Sequence, residues 1–442
     1  MTPLDLIHRL DWAALPSQVQ LRAELCLLDL VGIAAGGTQT RLSAIIHDHA
    51  AGVFGGTRPM LFDGRTASPA GVALAAGMTI DSLDGHDGYN PAKGHIGCPL
   101  LPALLALAPE DMPGIEFMAA LVMGYEFGAR VSAAQHATVA DYHTSGSWGA
   151  VVAAAAGARL LGLSYEISRH ALGIAEYHGP RSQMMRCIDH PTMLKDGSGW
   201  GSMAGVSAAL LAKSGFTGAP AITVEDAPDF WDDIGTRWRI MDQYFKPYPV
   251  CRWAQAPVEG VLALARAHDL TSDRVERIEV ATFHESVRLA TARPRTTEEA
   301  QYSTSFPCAV ALVRGGIGPE DITGDALDDP EIVRLSTGLR MTEDGEANAL
   351  FPGKRVARVS LLLKDGTRLD GGLSTPRWDA TDPPTEDEIR TKFHAIAGPL
   401  LGSARASAIE SAIHDLPKTG LAPLAGLICQ PISRDTVSVR SA

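Results

Sequence analysis

The chain has 442 residues, 45% of them hydrophobic and 20% charged, a balance that fits a folded protein and excludes a disordered one. Its formal charge of −13 disfavours nucleic acid and anionic membrane surfaces as partners, although a local cluster of cations could still hold an acidic small molecule. The length predicts two domains and a core that needs neither disulfides nor metals.

The six cysteines, at positions 26, 98, 187, 251, 308 and 429, form no C-x-x-C pair. A zinc ribbon or an iron–sulfur loop is therefore not expected, and reduced thiols are. The start MTPLDLIHRLDW lacks a basic stretch followed by an apolar one, and no apolar run is long enough to span a bilayer. The expectation is a cytoplasmic protein with no membrane partner.

Leu21, Leu25, Leu28 and Val31 recur at helical spacing, with Ser17 as the expected N-cap and Gly36-Gly37 as the stop. Ser68 and Pro69 predict the start of a second, buried helix running to Ile80. It delivers Ser82 to Ala108, SLDGHDGYNPAKGHIGCPLLPALLALA, which concentrates Asp84, His86, Asp87, Lys93 and His95 ahead of an apolar run. Pro99 and Pro102 fit the first helical turn, where backbone N–H groups have no intrahelical partner. A polar loop feeding a helix N-terminus offers amide donors and a positive dipole end, a seat for a carboxylate.

Ile115 to Val131 predicts a further helix in which Glu126 and Arg130, four apart, pair structurally. The stretch TSGSWGAVVAAAAGARLLGLS, with Ser147 as a candidate N-cap, is rich in small side chains and is expected at the centre of the helical packing. His143 stands just before it. Ser164 caps a helix ending near Tyr177.

The longest polar stretch follows, with Arg181, Arg186, Asp189, His190 and Lys195 ahead of a helix from Gly199 to Ser214. Arginine forks match carboxylates, and a lysine before a helix can hold one or exchange a proton if burial lowers its pKa. FKPYPVCRW sets Lys246 in a segment stiffened by Pro247 and Pro249, followed by Cys251, Arg252 and a helix. Polar turns ahead of helices thus recur, which predicts helix N-termini converging on one place.

After Leu270 the pattern changes. Ile278, Val280 and Thr282 alternate as a strand does, with His284 at its end. QYSTSFPCAVALVRGG reads as a capped helix. Val359, Leu361 and Leu363 alternate ahead of a hairpin turn at Asp365-Gly366. Thr385 to Glu388 is a capping box that starts a helical tail. The fold class expected is mainly α: a helical domain over 1–268, an α+β lid domain over 269–384, and residues 385–442 packing back on the first.

In order, the segments SLDGHDGY…GHIGCPLLPALLALA, GYEFGARV, YHTSGSWGAVVAAAAGARLLGLS, MLKDGSGWGSMAGVSAALLAKSGFTG, FKPYPVCRW and AQYSTSFPCAVAL resemble the MmgE/PrpD family over nearly the whole chain. The resemblance implies an all-helical domain with an α+β lid, an active site between them, a homodimer, and no metal or other cofactor. It implies proton chemistry at a carbon next to a carboxylate, as in 2-methylcitrate dehydratases, cis-aconitate decarboxylases and an iminodisuccinate epimerase.

Asp84 and Asp87 match the first and last Asp of the family's L-D-F-D-D-T motif, with Gly88 in place of the Thr that touches the site. His95 matches the His of H-P-G, although Ile96 replaces the Pro. His143 matches the His of G-x-H-x-T, with Ser145 for the Thr. Lys195 matches the Lys ahead of the Gly-rich helix, and Lys246 that of K-x-Y-P. Cys251 and Phe306 stand where the decarboxylases carry His and Tyr, which weakens a decarboxylase reading.

Removing an α-proton needs a base at hydrogen-bond distance and cations that stabilise the enediolate-like charge. The expected catalytic set is His95, His143, Lys195, Lys246 and Asp84, with one imidazole taking a proton and the other delivering one. Asp87, Gly88, Arg181, Arg186, Cys251 and Phe306 are expected to contact substrate. The expected activity is a cofactor-free hydro-lyase, 2-methylcitrate dehydratase-like, acting on a small hydroxy polycarboxylate. An epimerase of a dicarboxylate and a cis-aconitate-type decarboxylase are the alternatives. A metal-dependent hydrolase built on Asp84, His86, Asp87 and His95 is a competing class, disfavoured because glycines interrupt the cluster.

Overall fold

The computed structural model describes residues 1–433. Its first part is helical, and its centre is the helix Ser145–Leu160, in which Trp148 and every residue from Ala150 to Ala156 are buried. The helices Ser198–Lys213, Gly114–Thr138, Gly97–Leu107 and Tyr165–His178 pack around it. The small-residue content makes this possible. A Cβ on Gly205 would stand 2.1 Å from the Ala150 carbonyl oxygen, so only glycine allows the two backbones this close.

The caps at Ser68, Ser164 and Thr385 form as expected, each hydroxyl accepting an N–H of the first turn. Two expected caps do not. Ser17 is already helical, and Pro16 precedes it without a side-chain bond. Ser147 lies inside its helix, which starts after Thr144, and its hydroxyl accepts from the Gln135 amide on a neighbouring helix instead. Pro102 also differs from expectation. It sits in the interior of Gly97–Leu107, one turn deeper than a first-turn proline. Glu126 and Arg130 pair at 2.7 Å, both buried. Arg130 continues to Asp233 at 2.8 Å, and Glu126 accepts the Ile240 amide at 2.8 Å, so the pair clips a long helix to the segment crossing it.

The second part holds a four-stranded sheet in the order Arg340–Glu343, Val275–Thr282, Ala357–Leu363, Arg368–Ser374. The first pair is parallel and the other two are antiparallel. Ala357, Val359, Leu361 and Leu363 are buried on one face, and the helix Arg252–Ala267 packs on this sheet. Asp365-Gly366 makes the hairpin turn, with Gly366 at φ 88°. His284 opens a one-turn helix, His284–Val287, just after its strand.

The helix Glu386–Leu401 returns to the first part and packs on Ser17–Gly37. Lys392 there donates to Asp29 at 2.5 Å and to the Gly85 carbonyl at 2.7 Å. Residues 434–442 of the expected tail lie outside the described residues. No helix of the described residues is long and apolar enough to cross a membrane. All six cysteines are free.

Candidate active site

The N-termini of Gly97–Leu107, Ser145–Leu160, Ser198–Lys213 and Arg252–Ala267 are drawn together by the loops that precede them. Ser145 is the knot. Its hydroxyl accepts from the His95 backbone N–H at 2.9 Å and donates to Asp196, whose other oxygen accepts the Ser145 N–H at 3.0 Å. Gly88–Tyr89 pairs with Gln243–Tyr244 as a two-stranded ribbon, which brings the segment carrying Asp84 beside the one carrying Lys246. Gln301, from the second part, accepts from Lys195 and donates to the Ser82 carbonyl at 3.0 Å.

Between these elements lies a cavity. Asp84, His95, Lys246 and Cys251 line it, as the sequence led us to expect. Asp84, Lys93 and Lys195 all have positive φ, near 50°. For non-glycine residues this left-handed conformation is uncommon and costs energy, and such strain concentrates at functional sites.

The charges are organised. Lys246 donates to Asp84 Oδ1 at 2.6 Å and to its carbonyl at 2.9 Å. Burial pushes the Asp84 carboxyl up, but the Lys246 and Lys195 charges outweigh it and hold it below the usual range. His95 Nδ1 donates to the Asp87 carbonyl at 2.5 Å, since a carbonyl can only accept. Nε2 is therefore the unprotonated nitrogen of the neutral ring. Burial, and then the Lys246 charge, push the His95 pKa down to about 3. Asp196 moves the other way. Burial, and then the neighbouring Asp81 charge, push it up to about 8, so it holds its proton at neutral pH.

Other expected residues stand elsewhere. Lys195 is buried one layer behind, with Nζ 4.6 Å from the centre of the Tyr302 ring, and Tyr302 lines the cavity. His143 is nearly buried, its Nδ1 donates to the Asp141 carbonyl at 2.8 Å, and it is not among the cavity-lining side chains. Asp87 points away to the Tyr125 hydroxyl, and burial pushes it up to about 7. Phe306 is fully buried and off the cavity. Arg181 and Arg186 are exposed, so the cluster of charge around them is a solvated surface rather than part of this cavity. Gly88 acts as a spacer. A Cβ there would stand 2.3 Å from the Tyr244 ring and hydroxyl.

Sequence reasoning missed Arg252, Arg355, Tyr142, Tyr244, Tyr302 and Asp196 as site residues. Asp196 had a signal, its place next to Lys195 ahead of the Gly-rich helix. Arg252 could be read only as the residue after Cys251. Its guanidinium lies 4.3 Å over the Tyr244 ring and pairs with Asp379 at 3.0 Å. Arg355 has no local motif at all.

Among the described residues, one group of metal-binding side chains comes within 4.8 Å: Asp81, His86 and Cys98, all buried. It is not the Asp84, His86, Asp87 and His95 set of the disfavoured metal-hydrolase reading. The Cys98 thiol donates to the Gly77 carbonyl at 3.5 Å, and burial pushes its pKa well up.

A neutral imidazole beside ammonium and guanidinium groups in a cavity between two structural parts defines a site suited to proton chemistry on an anionic small molecule. Residues 4–233 match the MmgE/PrpD N-terminal domain and residues 248–418 the MmgE/PrpD C-terminal domain, and the chain belongs to this family. It is 25% identical to the cis-aconitate decarboxylase-like protein oryM of Aspergillus oryzae, over 91% of each chain. It is 22% identical to a cis-aconitate decarboxylase of Aspergillus terreus, over 96% of this chain and 94% of that one. It is 25% identical to the mitochondrial 2-methylcitrate dehydratase of Yarrowia lipolytica, over 48% and 45%. These relatives support a lyase-type enzyme.

Proposed function

We propose that the protein is a cofactor-free hydro-lyase, 2-methylcitrate dehydratase-like, acting on a small hydroxy polycarboxylate. The observation that carries this reading is the neutral His95, fixed through Nδ1 on the Asp87 carbonyl in a cavity it shares with Lys246 and Asp196. His95 Nε2 takes the proton from the carbon next to a carboxylate. The electrons of that C–H bond form the C=C bond, and the C–O bond to the β-hydroxyl breaks. The hydroxyl leaves as water with the proton held by Asp196. Lys246 stabilises the charge that develops on the carboxylate.

Substrate completes the base. Burial is the larger cause of the low His95 pKa and the Lys246 charge the second; an anion beside Lys246 offsets that second cause, so the ring gains proton affinity when the site fills. Asp196 takes the acid role that the sequence reading gave to a second imidazole, because His143 is not on the cavity. Lys195 acts through Gln301 and Tyr302 as a positioning residue.

A decarboxylase is the second reading, favoured by the relatives that align over nine-tenths of the chain. Against it stands Cys251, whose thiol is pushed up to about 12 by burial and cannot replace an imidazole as an acid near neutral pH. An epimerase would use the same base without losing a group. Citrate, 2-methylcitrate, cis-aconitate, tartrate, malate and iminodisuccinate, each followed by proton NMR in heavy water, separate these. A hydro-lyase gives an alkene signal from a hydroxy acid. Carbon dioxide release from cis-aconitate, or exchange without an alkene, would assign the other chemistries. We also propose a homodimer, which a sedimentation measurement tests.

A further inference from the structure

The cations of the cavity are not equally satisfied. Lys246 is paired with Asp84, and Arg252 with Asp379. Lys93 and Arg355 also line the cavity, yet among the described residues no carboxylate lies within 4.0 Å of either. Arg355 is buried, with 4% of its surface exposed, and its Nε has no hydrogen-bond partner. Its Nη1 donates only to neutral oxygens, those of the Asn90 side chain and the Pro352 carbonyl. Lys93 Nζ stands 4.4 Å over the Tyr142 ring. Lys93 is held there by its left-handed backbone and by the Tyr142 hydroxyl, which donates to the Lys93 carbonyl at 2.6 Å.

Two such cations near one another, one of them buried with no carboxylate in direct contact, are costly in a folded protein. Burial lowers the Lys93 pKa, the Glu285 charge opposes that shift and the Arg355 charge adds to it, so the two cations feel each other. An anion between them removes both penalties. The two residues come from different parts of the fold, Lys93 from the polar loop of the helical part and Arg355 from the segment leading into the strand Ala357–Leu363. A ligand in the cavity that both line can be met by both.

We propose that Lys93 and Arg355 form a second carboxylate subsite, which receives a carboxylate other than the one next to the reacting carbon. The guanidinium supplies the fork and the ammonium a point charge. The cavity then selects substrates with at least two carboxylates and rejects monocarboxylates, because an unfilled subsite leaves both cations with no carboxylate in direct contact. The inference rests on the polycarboxylate reading above and deepens it.

Calorimetry with tricarballylate, a tricarboxylate with no hydroxyl to lose, tests it without turnover. Butyrate serves as the monocarboxylate control. K93M and R355Q are each expected to weaken tricarballylate binding by about 10- to 100-fold, the loss of one charge-assisted contact. Butyrate binding should be weak in the wild type and change by less than about threefold in both variants. Tricarballylate affinities within about twofold of wild type in both variants would overturn the subsite, as would a wild type that binds tricarballylate no better than butyrate. Arg355 holds Asn90, so R355Q risks a folding defect. Lys93 is only half-buried, and K93M alone then decides. The reading of the enzyme as a hydro-lyase fails separately, through the absence of an alkene product, whatever the binding result.

Discussion

Lys246 Nζ donates to Asp84 Oδ1 at 2.6 Å, with both side chains buried at the wall of the cavity. The pair joins the end of the helix Pro69–Leu83 to the segment that leads into Arg252–Ala267. It is both a fastening and a source of positive charge for the substrate. Removing one partner leaves the other buried and unpaired.

D84N and K246M should therefore each lose about 3–5 kcal/mol of stability. The double change D84N/K246M should recover part of that loss, because no lone charge remains. Activity should not return in the double variant, since the ammonium that stabilises the developing charge is gone. Denaturant unfolding and turnover, measured on the same preparations, check both halves.

The tail is tied to the site through Lys392, which bonds Asp29 and the Gly85 carbonyl. K392M should destabilise the protein by about 3 kcal/mol, again by stranding a buried carboxylate. Its more specific signature is local. Hydrogen exchange should rise in the loop around Gly85 more than in the sheet of the second part, and kcat should fall as the neighbouring Asp84 loses its fixed position.

Two buried groups give opposite pH dependences. His95 is held near 3 against an ordinary 6.5, so its contribution to stability is complete above about 6.5 and is lost as pH falls toward 3. Asp196 is raised to about 8 from 3.8, so its contribution is complete below about 3.8 and is lost as pH rises through 8. D196N removes the second ionisation. Its melting temperature relative to wild type should increase steadily from pH 5 to pH 8. A difference that stays flat over that range would show that Asp196 does not hold a proton in the folded state.

Gly88 leaves room for the Tyr244 ring. G88T should cost about 1–3 kcal/mol by overpacking and push Tyr244 against the cavity it lines. The apparent KM should rise as a result. G88T/Y244A should regain stability relative to G88T, which thermal unfolding would show.

The sequence carried the local grammar of this protein well. Ser68, Ser164 and Thr385 cap helices because their hydroxyls satisfy first-turn amides, a relationship contained within four residues. Asp84, His95 and Lys246 could be read because each sits in a polar turn beside an apolar helix. Arg181 and Arg186 looked equivalent by that standard, yet they face solvent. Nothing within their own segment distinguishes a turn that points inward from one that points out. Arg355 reaches the cavity only because the sheet of the second part packs against the helical part, a relationship that spans 265 residues to its partner Asn90. Ser147 fails as a cap for the same kind of reason, since Gln135 on another helix claims its hydroxyl.

The central claim is that His95 removes a proton from the carbon next to a carboxylate of a bound polycarboxylate. Wild type and H95Q should be incubated in heavy water with each hydroxy acid that the wild type converts, and the α-proton signal followed by NMR. The account predicts loss of that signal with wild type and a rate at least about a hundredfold lower with H95Q, whose tricarballylate affinity stays within a few-fold of wild type. Loss of the α-proton in H95Q at the wild-type rate would contradict it.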